Sequence, residues 1–135
     1  LFALDGGAVG TTALRIAEAK AALPFGVALA KGILCNILVC LAVWLCFAAH
    51  SVTDKVLAIV FPITAFVALG FEHSIANMYF IPAGMLLSPE GASLAGAGGF
   101  KGFIANLVPV TLGNIVGGGG FVAAAYYVIY LRGRR

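Results

Sequence analysis

Glu72 and His73 stand side by side in "VALGFEHSIANMYFIP", residues 67–82, where almost every neighbour is apolar, and Asn77 follows four residues after the histidine. An imidazole has an unperturbed pKa of about 6.5, so it can hold or release a proton near neutral pH. A carboxylate beside it can pair with it, or can accept N–H bonds from backbone freed at a break. The two side chains cannot share a helix face, because neighbouring positions point about 100° apart. Bracing a break is therefore the expected role of Glu72. Proton exchange with a weak acid at the most apolar point of a path is the expected role of His73. On a soluble helix a lone buried histidine is more often a satisfied core residue. Inside a membrane, ionisable groups are costly and line pathways, and the balance turns toward function.

The membrane setting follows from composition. The chain has 135 residues, 62% of them hydrophobic and only 10% charged, against about 25% charged in a soluble domain. That is too little to cover a water-facing surface, and the fold class is an all-α membrane protein. A helical crossing takes about 20 apolar residues, and three stretches qualify, at about 24–49, 56–87 and 103–131. The opening "LFALDGGAVG" has no Met, basic region or cleavage pattern. It reads as the tail of an earlier helix, so residues 1–19 are expected to be the end of a preceding span and an external connection, within something longer. The net charge of +3 owes most to the tail Leu131-Arg132-Gly133-Arg134-Arg135. By the positive-inside rule this tail is a cytoplasmic stop. The turn "HSVTDK", His50 to Lys55, falls on the same side, and the loop "SPEGASLAGAGGFKG", Ser88 to Gly102, falls outside. No basic stripe with interleaved aromatics suggests nucleic acid. Cys35, Cys40 and Cys46 follow no metal-ligand spacing and read as buried thiols; no cofactor is expected.

The second stretch is too long for one plain helix. Pro62 and Pro82 bracket it and Gly70 precedes Glu72, so a break near Gly70 to Ser74 would yield two half-helices. The third stretch carries Pro109, then Gly113-Asn114, then Gly117 to Gly120, and a second break is expected there, supported by Gly113. Proline removes a backbone donor and glycine makes an interruption cheap. In hydrocarbon a freed backbone group costs several kcal/mol unless protein or a water-filled cavity satisfies it. Two broken spans with polar residues at their breaks thus suggest a midplane transport site. For the glycine run alone, close helix packing is the better reading.

The remaining polar residues are few. Asn77 and Asn114 would either cap backbone groups at the breaks or touch the permeant. Asn36 is the lone amide of the first span, a candidate for an interhelical bond or for the pore wall. Lys31 could snorkel to an interface. Lys20, before the first span, could draw anions inward or be an ordinary interface lysine. Phe66 lies seven residues before His73 and is a candidate hydrophobic gate.

At "GFEHSIANMYFIP" and "NLVPVTLGNIVGG" the chain closely resembles the formate/nitrite transporter family, and the resemblance extends through "GILCNILVCLAVW", "SVTDK" and "YYVIYLR". It implies an aquaporin-like fold of two inverted three-span repeats, assembled as pentamers with a pore in each protomer. It implies passage of formate, nitrite, hydrosulfide or similar small monovalent anions across a bacterial or archaeal inner membrane. The family's central histidine falls on His73, and the asparagine of its second break falls on Asn114. Its vestibule lysine falls on Lys20, its other asparagines on Asn36 and Asn77, and a constriction phenylalanine on Phe66. Residues 20–135 would be the C-terminal repeat alone, with half of the pore wall missing.

Two other readings are weaker. A neutral-solute channel of the aquaporin type would be expected to show Asn-Pro-Ala at its breaks, where this chain has Glu-His and Gly-Asn. A haem-binding membrane subunit would need His50 and His73 at matching depth, yet His50 falls in the cytoplasmic turn. No nucleophile–base pair suggests an enzyme.

Overall fold

The computed structural model describes residues 7–88 and 99–133. The expected helix tail at the chain's start, most of the glycine-rich loop after Ser88, and Arg134 and Arg135 lie outside these residues. The elements are α1 (Ala8–Ala21), α2 (Phe25–Ala48), α3 (Val52–Ala68), α4 (Ser74–Leu87) and α5 (Phe100–Ile115). From α5 the helix runs on through a π-helical stretch, Val116–Val122, a short α6, Ala123–Tyr126, and a second π-helical stretch, Tyr127–Leu131. Residues 8–19 lie in α1, which packs on α4.

Local chemistry sets the ends. Pro24 is extended, with φ −61° and ψ 145°, and separates α1 from α2 because the residue before a proline avoids the helical region. The connection between α2 and α3 is shorter than the "HSVTDK" motif. Ser51 Oγ accepts the Asp54 N–H at 3.1 Å while Asp54 Oδ2 accepts the Ser51 N–H at 3.1 Å. This capping box starts α3 at Val52.

The second span is broken and the third is not. Pro62 and Pro82 lie inside α3 and α4, so the prolines do not mark the break. Between Phe100 and Leu131 the backbone stays helical: Val116, Ala123, Tyr127 and Arg132 all hold right-handed helical angles. The second break expected at Gly113-Asn114 is therefore corrected to a continuous helix. Four consecutive glycines permit a wider turn as readily as an interruption, and here the chain takes the π-helical course. Among the described residues, two helices are long and apolar enough to cross a membrane, Phe25–Ala48 and Phe100–Leu131.

The contacts pair α2 with α5 and its continuation, α1 with α4, and α2 with α3. Small residues allow the close approaches. A Cβ on Gly113 would stand 2.3 Å from the Leu29 carbonyl oxygen, and one on Gly117 would stand 2.3 Å from that of Ile33. Gly113 thus serves α2–α5 packing and supports no break. Ala17, Ala21 and Ile81 form the small core between α1 and α4.

Candidate functional site

The break between α3 and α4 is built by glycine. The Phe71 N–H donates to the Phe66 carbonyl and the Gly70 N–H to the Val67 carbonyl, each at 3.0 Å. Gly70 has φ 62°, the left-handed cap that this Schellman pattern requires. The chain then turns extended at His73, which caps α4 with φ −114°, ψ 123° and no side-chain cap bond. The carbonyl end of α3 and the N–H end of α4 therefore approach the same five-residue gap. His73 is half-buried, and its ring lies 6.2 Å from that of Phe66, tilted by 34°. Among the described residues no hydrogen bond holds the His73 side chain.

Glu72 is held by side chains rather than by backbone N–H groups. Its Oε1 accepts from Lys20 Nζ at 2.9 Å, and its Oε2 accepts from Asn77 Nδ2 at 2.6 Å. The carboxylate side is 3% exposed and the lysine side 17%. Asn77 Nδ2 also donates to Asn106 Oδ1 at 2.8 Å. Asn106 Nδ2 donates to the Lys20 carbonyl at 2.8 Å and reaches Glu72 Oε2 at 3.5 Å. Lys20 also lies over the Phe80 ring, 5.8 Å from its centroid. One cluster thus joins the end of α1, the break, α4 and α5.

Asn114 closes the other side. Its Oδ1 accepts from the Ser74 N–H at 2.9 Å and from Ser74 Oγ at 3.0 Å, which satisfies the first free N–H of α4. Its Nδ2 donates to the Gly32 carbonyl at 2.8 Å and the Glu72 carbonyl at 3.1 Å. Asn36 Nδ2 donates to the Asn114 carbonyl at 2.6 Å, and the Glu72 N–H donates to the Lys31 carbonyl at 3.4 Å. A single amide on α5 therefore ties the broken span to α2.

The structure brings Lys20, Glu72, Asn77 and Asn114 together with His73 around the break, with Phe66 beside the histidine and Asn36 behind Asn114. Asn77 and Asn114 are buried; Asn114 spends its whole amide on the protein, whereas Asn77 donates from Nδ2 and its buried Oδ1 has no hydrogen-bond partner among the described residues. Glu72 makes no bond to His73. Asn106 was missed by the sequence reading. Its signal was spacing: Gly102, Asn106, Pro109, Val110, Gly113, Asn114 and Gly117 are all buried and recur at helical intervals on one stripe. His50 lies just before α3 and His73 just beyond its other end. About 25 Å of helix separates them at 1.5 Å per residue, which excludes a shared haem. The three cysteines are free thiols.

Comparison with known proteins identifies the family. The family model described as "Formate/nitrite transporter" matches residues 1–128. The chain is 44% identical to the formate channel FocA of Escherichia coli over 93% of its own length and 48% of that protein's. It is 45% identical to a probable formate transporter of Methanothermobacter thermautotrophicus, over 91% of this chain and 42% of that one. Among solved structures, a pentameric formate channel with formate bound superposes with a TM-score of 0.83 at 46% identity, covering 98% of this chain and 56% of the other. An FNT family ion channel gives 0.76 at 37% identity, with coverages of 95% and 51%. The chain spans about half the length of the curated relatives it matches. It belongs to the formate/nitrite transporter family.

Proposed function

We propose that this chain forms the C-terminal, three-span half of a channel or transporter for small monovalent weak-acid anions, with formate first and nitrite or hydrosulfide as further candidates. The observation that carries the reading is the position of His73, free of side-chain hydrogen bonds among the described residues and half-buried at a break inside an apolar span. A formate anion reaching the break meets an imidazolium able to give it a proton, and the neutral acid then crosses the Phe66 constriction more cheaply than the anion. The acid releases that proton on the far side, and His73 takes a new proton from the water on the side of entry. The N–H end of α4 adds a favourable dipole for an anion at the same point. Glu72, Lys20, Asn77 and Asn114 keep the broken backbone in place. Here Lys20 and the amides act on the protein, and their contact with the permeant is secondary.

The rest of the reading rests on the family. The aquaporin-like inverted repeat, the homopentamer, the inner-membrane location and the cytoplasmic C-terminus are proposed for the protein that contains this chain. The relatives include formate channels and a probable formate transporter, which disfavours the neutral-solute alternative.

The test is formate uptake by liposomes holding the natural full-length protein or its His73→Phe variant, across about pH 5 to 8. Wild type should carry formate together with protons, and the variant should lose the coupling. A variant with the wild-type pH profile would make His73 structural and end the proton-exchange mechanism.

A further inference from the structure

Two lysines flank the break, and they differ in how their charge is met. Lys20 faces the buried Glu72 carboxylate at 2.9 Å, so its positive charge is cancelled on the spot and projects little field toward a permeant. Lys31 is different. Its carbonyl accepts the Glu72 N–H, which fixes this turn of α2 against the break. Its ammonium stands 3.9 Å from where a Cβ on Gly70 would be, three residues ahead of His73. The side chain thus reaches the turn that opens the gap. It is half-buried. Among the described residues, no carboxylate lies within ion-pair distance of it and no hydrogen bond occupies its ammonium.

What holds a cation there is the end of α3. The Schellman pattern satisfies two of the four carbonyls that a helix leaves free. The others carry the negative end of the helix dipole, which favours a positive group. This partial charge does not neutralise a full one. Apart from His73, the charges at the break are Glu72, Lys20 and Lys31, one negative and two positive.

We infer that Lys31, standing at the carbonyl end of α3, is the uncompensated cation that recruits a monovalent anion to the break, a role Lys20 cannot fill because Glu72 takes its charge. The inference rests on the proposed anion pathway and adds the residue that sets its charge preference. A monovalent anion at the gap offsets this positive excess, whereas a cation would add to it. Lys31 acts on the anion before His73 does, so its contribution appears in capture rather than in proton transfer.

The experiment uses the natural full-length protein in liposomes, with formate uptake measured against concentration at low and high ionic strength. Lys31→Gln should raise KM roughly tenfold and lower kcat by less, and it should flatten the salt dependence of uptake. Lys31→Arg should keep the salt dependence and most of the affinity, because it keeps the charge. Should Lys31→Gln fail to assemble, Lys31→Cys is modified in the folded protein with cationic or anionic thiol reagents, beside wild type treated alike. The cationic adduct alone should restore a low KM. A Lys31→Gln protein with wild-type KM and salt slope overturns this inference and leaves the proposed function standing. So do Lys31→Arg failing equally, or both adducts behaving alike, since packing rather than charge would then be at work. A wild type that carries none of formate, nitrite and hydrosulfide overturns both.

Discussion

Removing the Lys20 ammonium strands the Glu72 carboxylate, whose side chain is 3% exposed, among two amides that cannot neutralise it. Leaving one member of a buried pair without its partner costs about 3–5 kcal/mol. Lys20→Met should therefore lower stability by about that amount. Glu72→Gln leaves a lysine that is 17% exposed and keeps a hydrogen-bonding side chain, so its cost should be smaller, about 1–3 kcal/mol. Unfolding the purified variants in mixed detergent micelles checks the order, and equal losses would mean that the pair does not act as drawn. Asn114 is a sharper case. Asn114→Ala frees the Ser74 N–H and the Gly32 and Glu72 carbonyls together, at about 1–3 kcal/mol for each group left buried. His73, Glu72, Asn77 and Asn114 were legible in sequence because a polar group in an apolar run is costly and must be explained. The partner of Glu72 was not, since Lys20 lies 52 positions away and only the tertiary fold closes that distance. Asn106 was not legible in the same way, since no break marks it and only its place on the stripe with Gly102 and Gly113 does.

Helix pairing in this chain depends on the absence of side chains at a few positions. Gly117→Ala would place a Cβ 2.3 Å from the Ile33 carbonyl oxygen, which is backbone and cannot swing aside. Such overpacking costs typically about 1–3 kcal/mol, and the displaced α5 would pull Asn114 from Ser74. Gly119→Ala, two residues on, meets nothing within 4 Å. It should be neutral or gain up to about 1 kcal/mol from helix propensity. The two variants differ by one methyl placement, and thermal melts of both separate close approach from glycine content as the cause. Gly70→Ala belongs to a third class, because at φ 62° the left-handed conformation itself costs roughly 1–2 kcal/mol for an L-residue. The first break was readable from Gly70 and the polar pair after it. The second was misread because a glycine run shows only that the backbone is free to deviate. Whether it breaks or widens is decided by what α2 offers, here the Asn36 amide at the Asn114 carbonyl.

Taken whole, the chain inverts the usual distribution of side chains. Its fully buried positions include Asn77, Asn106, Ala17, Ala28 and Cys35, while Leu86 is 86% exposed, Phe47 77% and Phe61 73%. In water that surface would drive aggregation; it fits lipid and neighbouring helices. The break itself is covered on one side only. Asn114, Asn36 and the Lys20–Glu72 cluster close it toward α2 and α5, whereas Gly70 is exposed, Leu69 is 61% exposed and Val67 64%. A pore at this level needs a second wall, because unpaired backbone groups facing hydrocarbon cost several kcal/mol each. Transport sites of this kind lie between two repeats, each contributing a broken span, and among the described residues only one span is broken. Residues 1–135 reconstituted alone are therefore expected to carry formate no faster than protein-free liposomes. Supplying the remaining part of the full-length protein as a separate chain should restore uptake, and His73→Phe in this chain should then uncouple it from protons. Uptake by the 135 residues alone would mean that they complete a pore by self-association, with the exposed edge of one copy's break covered by another, and would remove the need for a second kind of half.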